Sequence, residues 1–332
     1  MLCLIKSQKK SEKIMNEFEI INNYFRKLAT SKASLNLNDD IFFDKKNKLA
    51  VSTDTYFEKI HFLNFKKPGQ VIRKIIRSSI SDLICKGVYP KYIFICASGN
   101  KHYFTKKNLA KISNSIKSEQ NKFKISIGGG DTVKSNKLSF SITSIGYAST
   151  IIYRNKAKKN DDIYVTGNLG DSFTGLSILK NIIRTNSRLE KYFIDKYFSP
   201  ELQIKFIKKL KQVASSSIDI SDGLFADLKK LINKQKLSYK IYLNKIPISK
   251  QLLKLILNKK FKKIKFISNG DDYQILFTAP KFNQKKIRDF SLKNKIRITK
   301  IGTMTDNKHK SIILDGAGRR ISLKNKGYFH TF

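Results

Sequence analysis

The chain has 332 residues, 40% hydrophobic and 11% aromatic, with 16 Gly and 5 Pro, which excludes a peptide-sized module, a collagen-like repeat and bulk disorder and leaves room for about two domains. Lys and Arg number 67 against 25 Asp and Glu, a formal net charge of +42 with a pI near 10.1. The basic residues are mostly Lys and run through the whole length among Asn, Ile and Phe, as A/T-rich codons would produce. A nucleic-acid surface would concentrate charge and interleave Arg with aromatics, so nucleic acid is an unlikely partner; a non-enzymatic polyanion binder is kept as the alternative from another class.

The apolar opening Met1–Ile5 is shorter than the ~7–15 residues of a signal-peptide core. Phe18, Ile20, Ile21, Tyr24, Phe25 and Leu28 predict an amphipathic helix starting just after Met15, which makes Met15 a candidate start and residues 1–14 a non-native extension. Ile41–Phe43 and Leu49–Ser52 read as a strand pair around the turn Lys45–Lys48, with Thr53-Asp54-Thr55 at its end. A helix over 69–86 precedes a strand Tyr92–Ala97. A second helix over about 105–119 leads to a strand Lys124–Ile127 that opens into a glycine loop, Gly128–Thr132, and Leu138–Tyr147 is β-like. The first domain, 15–150, closes here; a linker Arg154–Asp162 opens the second, 151–332.

In that half we expect a strand Ile163–Val165, a helix running to Leu179 and a basic helix over 201–212 after Pro200. A strand Ser217–Ile220 and a helix Leu224–Ile232 follow, then strands at Tyr239–Leu243, Gln274–Thr278, Ile296–Ile301 and Ser311–Leu314. The expected class is mixed α/β (α+β) in two domains. Cys3, Cys85 and Cys96 show no metal-ligand spacing, and no stretch approaches the ~18 apolar residues of a membrane span, so a cytoplasmic protein with no membrane partner is expected.

Acids are scarce, yet Asp39, Asp40, Asp54, Asp131, Asp219, Asp222, Asp271 and Asp272 sit at predicted element ends beside Gly, Ser or Thr. Each alone also suits a turn or an N-cap; together they suit Mg²⁺, which takes hard oxygen ligands and substrate phosphates. Gly128–Thr132 matches neither a Walker A loop nor a dinucleotide fingerprint. His61, among apolar neighbours, reads on spacing alone as packing. No Ser/His/Asp or Cys/His set appears, and no protein nucleophile is expected.

In order along residues 15–330 stand Asn38-Asp39-Asp40, Ser52-Thr53-Asp54-Thr55, His61-Phe62, Ser81-Asp82-Leu83, Gly129-Gly130-Asp131-Thr132 and Tyr164-Val165-Thr166-Gly167, then Gly170-Asp171-Ser172, Ile218-Asp219-Ile220-Ser221-Asp222-Gly223, Gly270-Asp271-Asp272-Tyr273 and Lys326-Gly327-Tyr328. This series resembles the thiamine-monophosphate kinase family, of the superfamily that includes aminoimidazole ribonucleotide synthetase. The resemblance implies a two-domain protomer, paired as a homodimer through N-terminal sheets that form a shared barrel, and transfer of the ATP γ-phosphoryl to thiamine phosphate.

The same resemblance implies metal ligation by Asp40, Ser52, Thr53, Asp54, Asp82, Asp131, Asp219 and Asp222, and nucleotide contacts from Gly130, Asp131, Arg154 and Ser221. His61, Asp271 and Tyr328 fall on the substrate side. Several Mg²⁺ ions and ATP are the implied cofactors, with the need for K⁺ left open. Asp271 stands where the family has Glu, Asn38 where it has Gly and Asn325 where an aromatic is usual; the linker glycines and proline are replaced around Lys156–Asn160. The nearest alternative enzyme is aminoimidazole ribonucleotide synthetase-like. A dikinase would carry a reactive Cys in its N-terminal loop and a hydrogenase-maturation protein would end in Cys, whereas this chain ends in Phe332.

Overall fold

A computed structural model describes residues 15–308 and 310–323, so Tyr328 and Asn325 lie outside the described residues, as do 1–14. The amphipathic opening is helical to Leu28, as α1 (Glu17–Ile20) followed by a π-turn and a 3₁₀ turn. Tyr24, Phe25 and Leu28 are more than half exposed, while Phe18, Ile20 and Ile21 are half-buried and the Phe18 ring centroid lies 5.7 Å from Lys230 Nζ.

The first sheet holds β1 (Phe42–Asp44), β2 (Leu49–Phe57), β3 (Pro90–Gly99), β4 (Ser126–Lys134) and β5 (Ser139–Tyr147), in the spatial order β1-β2-β5-β3-β4. Two expectations are corrected here. Thr53-Asp54-Thr55 lies inside β2, because all nine residues of β2 find partners on β5. The glycines 128–130 form part of an edge strand paired to β3, with a register shift between Ile93 and Phe94. Gly130 has φ +155, and a Cβ there would sit 1.9 Å from the Ile95 carbonyl, so only glycine lets β4 approach β3 so closely.

Helices α2 (Pro68–Cys85) and α3 (Lys106–Phe123) follow β2 and β3. The α2 stripe of Val71, Ile72, Ile75, Ile76, Ile80, Leu83 and Ile84 is almost fully buried. It packs on β2 and β5 with one side and on β7 with another. The second sheet combines β6 (Asp162–Thr166), β7 (Ser216–Asp219), β8 (Leu237–Tyr242), β9 (Ile275–Ala279), β10 (Ile298–Asp306) and β11 (Ile312–Leu314), in the order β11-β8-β10-β6-β9-β7. Between them run α4 (Asp171–Leu179), α5 (Ser187–Phe198), α6 (Ile207–Val213), α7 (Leu224–Leu231), α8 (Lys250–Lys259), α9 (Lys263–Ile267) and α10 (Gln284–Asn294).

Helices α5, α8, α9 and α10 go beyond the sequence reading, and α6 begins later than the expected 201, after a 3₁₀ turn. One apolar cluster runs from Tyr56 and α2 through Tyr197, Phe206 and Phe277 to Ile287. Residues from both sheets therefore share a core, which fixes the end of β7 against α2.

Candidate active site

Alternation along β2 puts Ser52 and Asp54 on the face toward α2, and Thr53 and Thr55 on the other. The outer pair is held across the strands, Thr53 to the Thr143 hydroxyl at 3.0 Å and Thr55 to the Ser141 hydroxyl at 2.8 Å. On the inner face the Ser52 hydroxyl donates to Asp82 at 2.5 Å. Lys74, Ser78 and Asp82 recur every four residues and form one polar strip of α2 along the cavity.

Where β7 ends against α2, Ser81 donates its hydroxyl to Asp219. Asp40 enters from the loop before β1, and oxygens of Asp40, Asp82 and Asp219 all lie within 4.8 Å of one another. A cavity of about 410 Å³ opens beside them, lined by Asp54, His61, Lys74, Asp82, Tyr197, Asp219, Ser221, Asp222, Asp271 and Tyr273 among others. Four metal candidates from three distant segments, Asp54, Asp82, Asp219 and Asp222, thus share its wall, with Asp40 next to two of them.

Burial raises the carboxyls of Asp54, Asp82 and Asp219. Asp54 rises to about 6, chiefly by desolvation and against a hydrogen bond from the Tyr56 hydroxyl. Asp82 rises well above the usual range, by burial first and then by the charges of Asp54 and Asp219. Asp219 rises for the same first reason, opposed by the Ser81 hydrogen bond. Acids so placed ionise together only when a cation joins them. The donor set is all oxygen and half-enclosed, which fits a hard divalent ion such as Mg²⁺.

Fixed cations already hold part of the group. Arg154 pairs with Asp40 through Nη2 and through Nε at 3.0 Å, and its backbone N–H donates to Asp39 at 2.9 Å. Lys230 pairs with Asp222. Asp271 has φ +69; its carboxylate lies 2.7 Å from Lys74 Nζ and accepts from the Tyr273 hydroxyl at 3.0 Å. The His61 Nδ1 accepts from the Phe57 N–H at 3.0 Å, and its ring stands edge-on to Tyr56.

Asp131 and Gly130 do not join this group within one protomer, which corrects the expectation of a single converging set. Asp131 pairs across the sheet with Cys96, Cys96 with Ser141, and Ser141 with Thr55. It therefore lies three strands from β2 and on the face opposite Asp54, exposed like the rest of β4. The Thr53 side chain shares that outer face, leaving only its backbone near the acids.

Lys74, Lys86 and Tyr197 were missed in the sequence, and Ser81, quoted within Ser81-Asp82-Leu83, was given no role. The strip Lys74-Ser78-Asp82 was readable at helical spacing once α2 was assigned. Tyr197 follows Leu189 and Phe193 at helical spacing, but α5 was not foreseen. Its ring centroid lies 4.1 Å from Lys74 Nζ, a cation–π contact in a buried place.

Residues 37–148 match the family described as AIR synthase related protein, N-terminal domain. The thiamine-monophosphate kinase of Buchnera aphidicola subsp. Schizaphis graminum (strain Sg) is 35% identical over 327 residues, 95% of this chain and 98% of that protein. The thiamine-monophosphate kinase of Escherichia coli (strain K12) is 30% identical over 324 residues, with the same coverage. The solved structure described as AaThiL complexed with AMPPCP and TMP superposes with a TM-score of 0.83 at 27% identity, covering 96% of this chain and all of that one. The thiamine monophosphate kinase structure from Aquifex aeolicus gives 0.77 at 26% identity, covering 92% and 99%. With its acids gathered at one cavity and relatives matched over nearly their whole length, this chain is an enzyme that belongs to the thiamine-monophosphate kinase family.

Proposed function

We propose that this chain transfers the γ-phosphoryl group of ATP to thiamine phosphate, giving thiamine diphosphate and ADP. An oxygen of the acceptor phosphate forms the new P–O bond, the bond from the γ-phosphorus to the β–γ bridging oxygen breaks, and the electron pair leaves with ADP. The acceptor is ionised at neutral pH, so neither a nucleophilic side chain nor a strong general base is required. The observation that carries this reading is the Asp40–Asp82–Asp219 group beside a cavity of about 410 Å³.

Asp40, Ser52, Asp54, Asp82, Asp219 and Asp222 would hold Mg²⁺, with Thr53 contributing through its backbone. When bound, the metal ions would offset the charge of the two phosphates and stabilise the in-line transfer. Ser221 and Arg154 would meet the nucleotide phosphates, Arg154 with a planar fork that Lys cannot copy. His61 and Asp271, on the cavity wall, would face thiamine phosphate. Asp271 is held on the cavity wall by Lys74 and Tyr273, a place from which the shorter acid would face substrate.

A homodimer completes this reading. The edge strand β4 is exposed along its length, Ile127 and Val133 included, and the outer face of the sheet is open around Thr53 and Cys96. Two such sheets closing into a barrel would bring Gly130 and Asp131 of a second copy toward the nucleotide. The two sheets support a two-domain division, with cytoplasmic ATP as the donor.

The test is a coupled assay of ADP release by the full chain, with chromatographic detection of thiamine diphosphate, offering thiamine phosphate, the aminoimidazole ribonucleotide precursor and selenide in turn. Thiamine diphosphate formed one for one with ADP is expected. Asp219→Asn should lower turnover by roughly 10²-fold or more at unchanged circular dichroism. ADP release with another acceptor, or none with thiamine phosphate, would overturn the reading.

A further inference from the structure

Lys86 carries a charge to which the reaction assigns no role. It follows the last residue of α2 and is fully buried, with 0% of its side chain exposed. Its Nζ lies 2.7 Å from Asp39, 2.7 Å from Asp40 and 2.7 Å from the Ser217 carbonyl on β7. An ammonium has three donors, and three acceptors meet it. Burying such a charge is costly unless partners repay it, and a neutral side chain would tie α2 to β7 without that cost.

The partners explain the charge. The Asp40 carboxylate offers about four lone-pair sites, of which Lys86 takes one and Arg154 two. About one is left on the residue whose oxygen sits with those of Asp82 and Asp219. Asp39, Asp40, Asp82 and Asp219 bring four negative charges when ionised, and Asp54 and Asp222 lie beside them, against the fixed cations Lys86, Arg154 and Lys230. The acids outnumber the cations, so each fixed charge weighs on how much metal charge the group still takes up.

We propose that Lys86 serves as a built-in cation of this site. Its charge, lodged against Asp39 and Asp40, competes with divalent metal and so sets how strongly the acid group takes it up. The inference rests on the metal role given under Proposed function. A purely structural Lys86 would leave metal affinity alone.

The probe is Mn²⁺, its binding to the full chain followed by electron paramagnetic resonance with no nucleotide or thiamine phosphate present. Lys86→Met should bind Mn²⁺ at least about tenfold tighter, and Asp39→Asn at least about tenfold weaker, because a unit charge a few ångströms away acts strongly in a buried site. The double variant Asp39→Asn/Lys86→Met restores the charge count and should return to within about threefold of the parent. The double and Asp39→Asn keep the test decisive should Lys86→Met alone not fold. Equal Mn²⁺ affinity across the folded variants, weaker binding by Lys86→Met, or no Mn²⁺ binding by the parent overturns the proposal. Formation of thiamine diphosphate is measured separately. A flat cycle in a protein that makes it sinks only the role of Lys86, and a clear cycle in one that does not sinks only the kinase reading.

Discussion

Asp54 makes the stability of the metal-free protein fall as pH rises. Its carboxyl ionises near 3.8 in an unfolded chain and is pushed up to about 6 in the fold, so between those values the folded state holds a proton that the unfolded state has lost. Unfolding then releases a proton, and stability drops with pH through this window and stays low above it. At about 1.4 kcal/mol per pH unit the cost reaches about 3 kcal/mol by neutral pH, an upper figure because the group is partly open to the cavity. For 332 residues the unfolding entropy is about 0.7 kcal/mol/K, which converts the cost to roughly 4 °C in Tm.

The assay is calorimetry of EDTA-treated protein from pH 4.5 to 7.5, wild type against Asp54→Asn, which cannot titrate. About 1 kcal/mol of the cost already falls below pH 4.5, so the Tm of wild type relative to the variant should decline by at most about 3 °C across this range, and saturating Mg²⁺ should remove the decline by keeping the carboxylate ionised. A difference that is flat, or that rises with pH, would refute the argument that this acid is buried without a compensating cation.

Other expectations follow from the packing. Arg77 grips Glu119 with two bonds of 2.7 and 3.0 Å and donates to the Pro200 carbonyl, all buried, so Glu119→Gln should cost about 3–5 kcal/mol in urea unfolding. Gly130→Ala places a methyl group against the Ile95 carbonyl, and β4 must peel from β3; faster amide exchange at Ile95 and in β4 would be the readout, with a stability loss of about 2 kcal/mol or more. Tyr197→Leu removes the ring under Lys74 but leaves its ion pair with Asp271, so KM for thiamine phosphate should rise by a few-fold, about 1 kcal/mol, more than kcat falls.

Much of the first half was legible because its signals are local. The α2 stripe has helical spacing, and β2, β3 and β5 carry β-branched or alternating runs. The glycines at 128–130 misled because a triple glycine looks like a loop; only pairing to β3 makes them a strand, and pairing is a long-range property. Helix α5 carries apolar residues at helical spacing, Leu189, Tyr192, Phe193 and Tyr197, a pattern the sequence reading passed over. The α1 region had the pattern of a packed helix, and only its first part is half-buried, while Tyr24, Phe25 and Leu28 stay exposed.

The candidate site divides along the same line. The chain order of acids beside Gly, Ser and Thr was enough to name the family and the acids of the cavity wall, since residue type and local spacing survive without coordinates. The side of a strand on which a residue falls, and its distance from others, are decided by sheet order and register. That is why Asp54 faces Asp82 while Thr53 faces outward, and why Asp131 stands three strands away. The buried cations Lys74 and Lys86 belong to the tertiary structure for a further reason. In a sequence with 67 basic residues nothing marks Lys86, and Lys74 shows only a helical spacing to Asp82; the fold alone shows which lysines have left water to meet carboxylates.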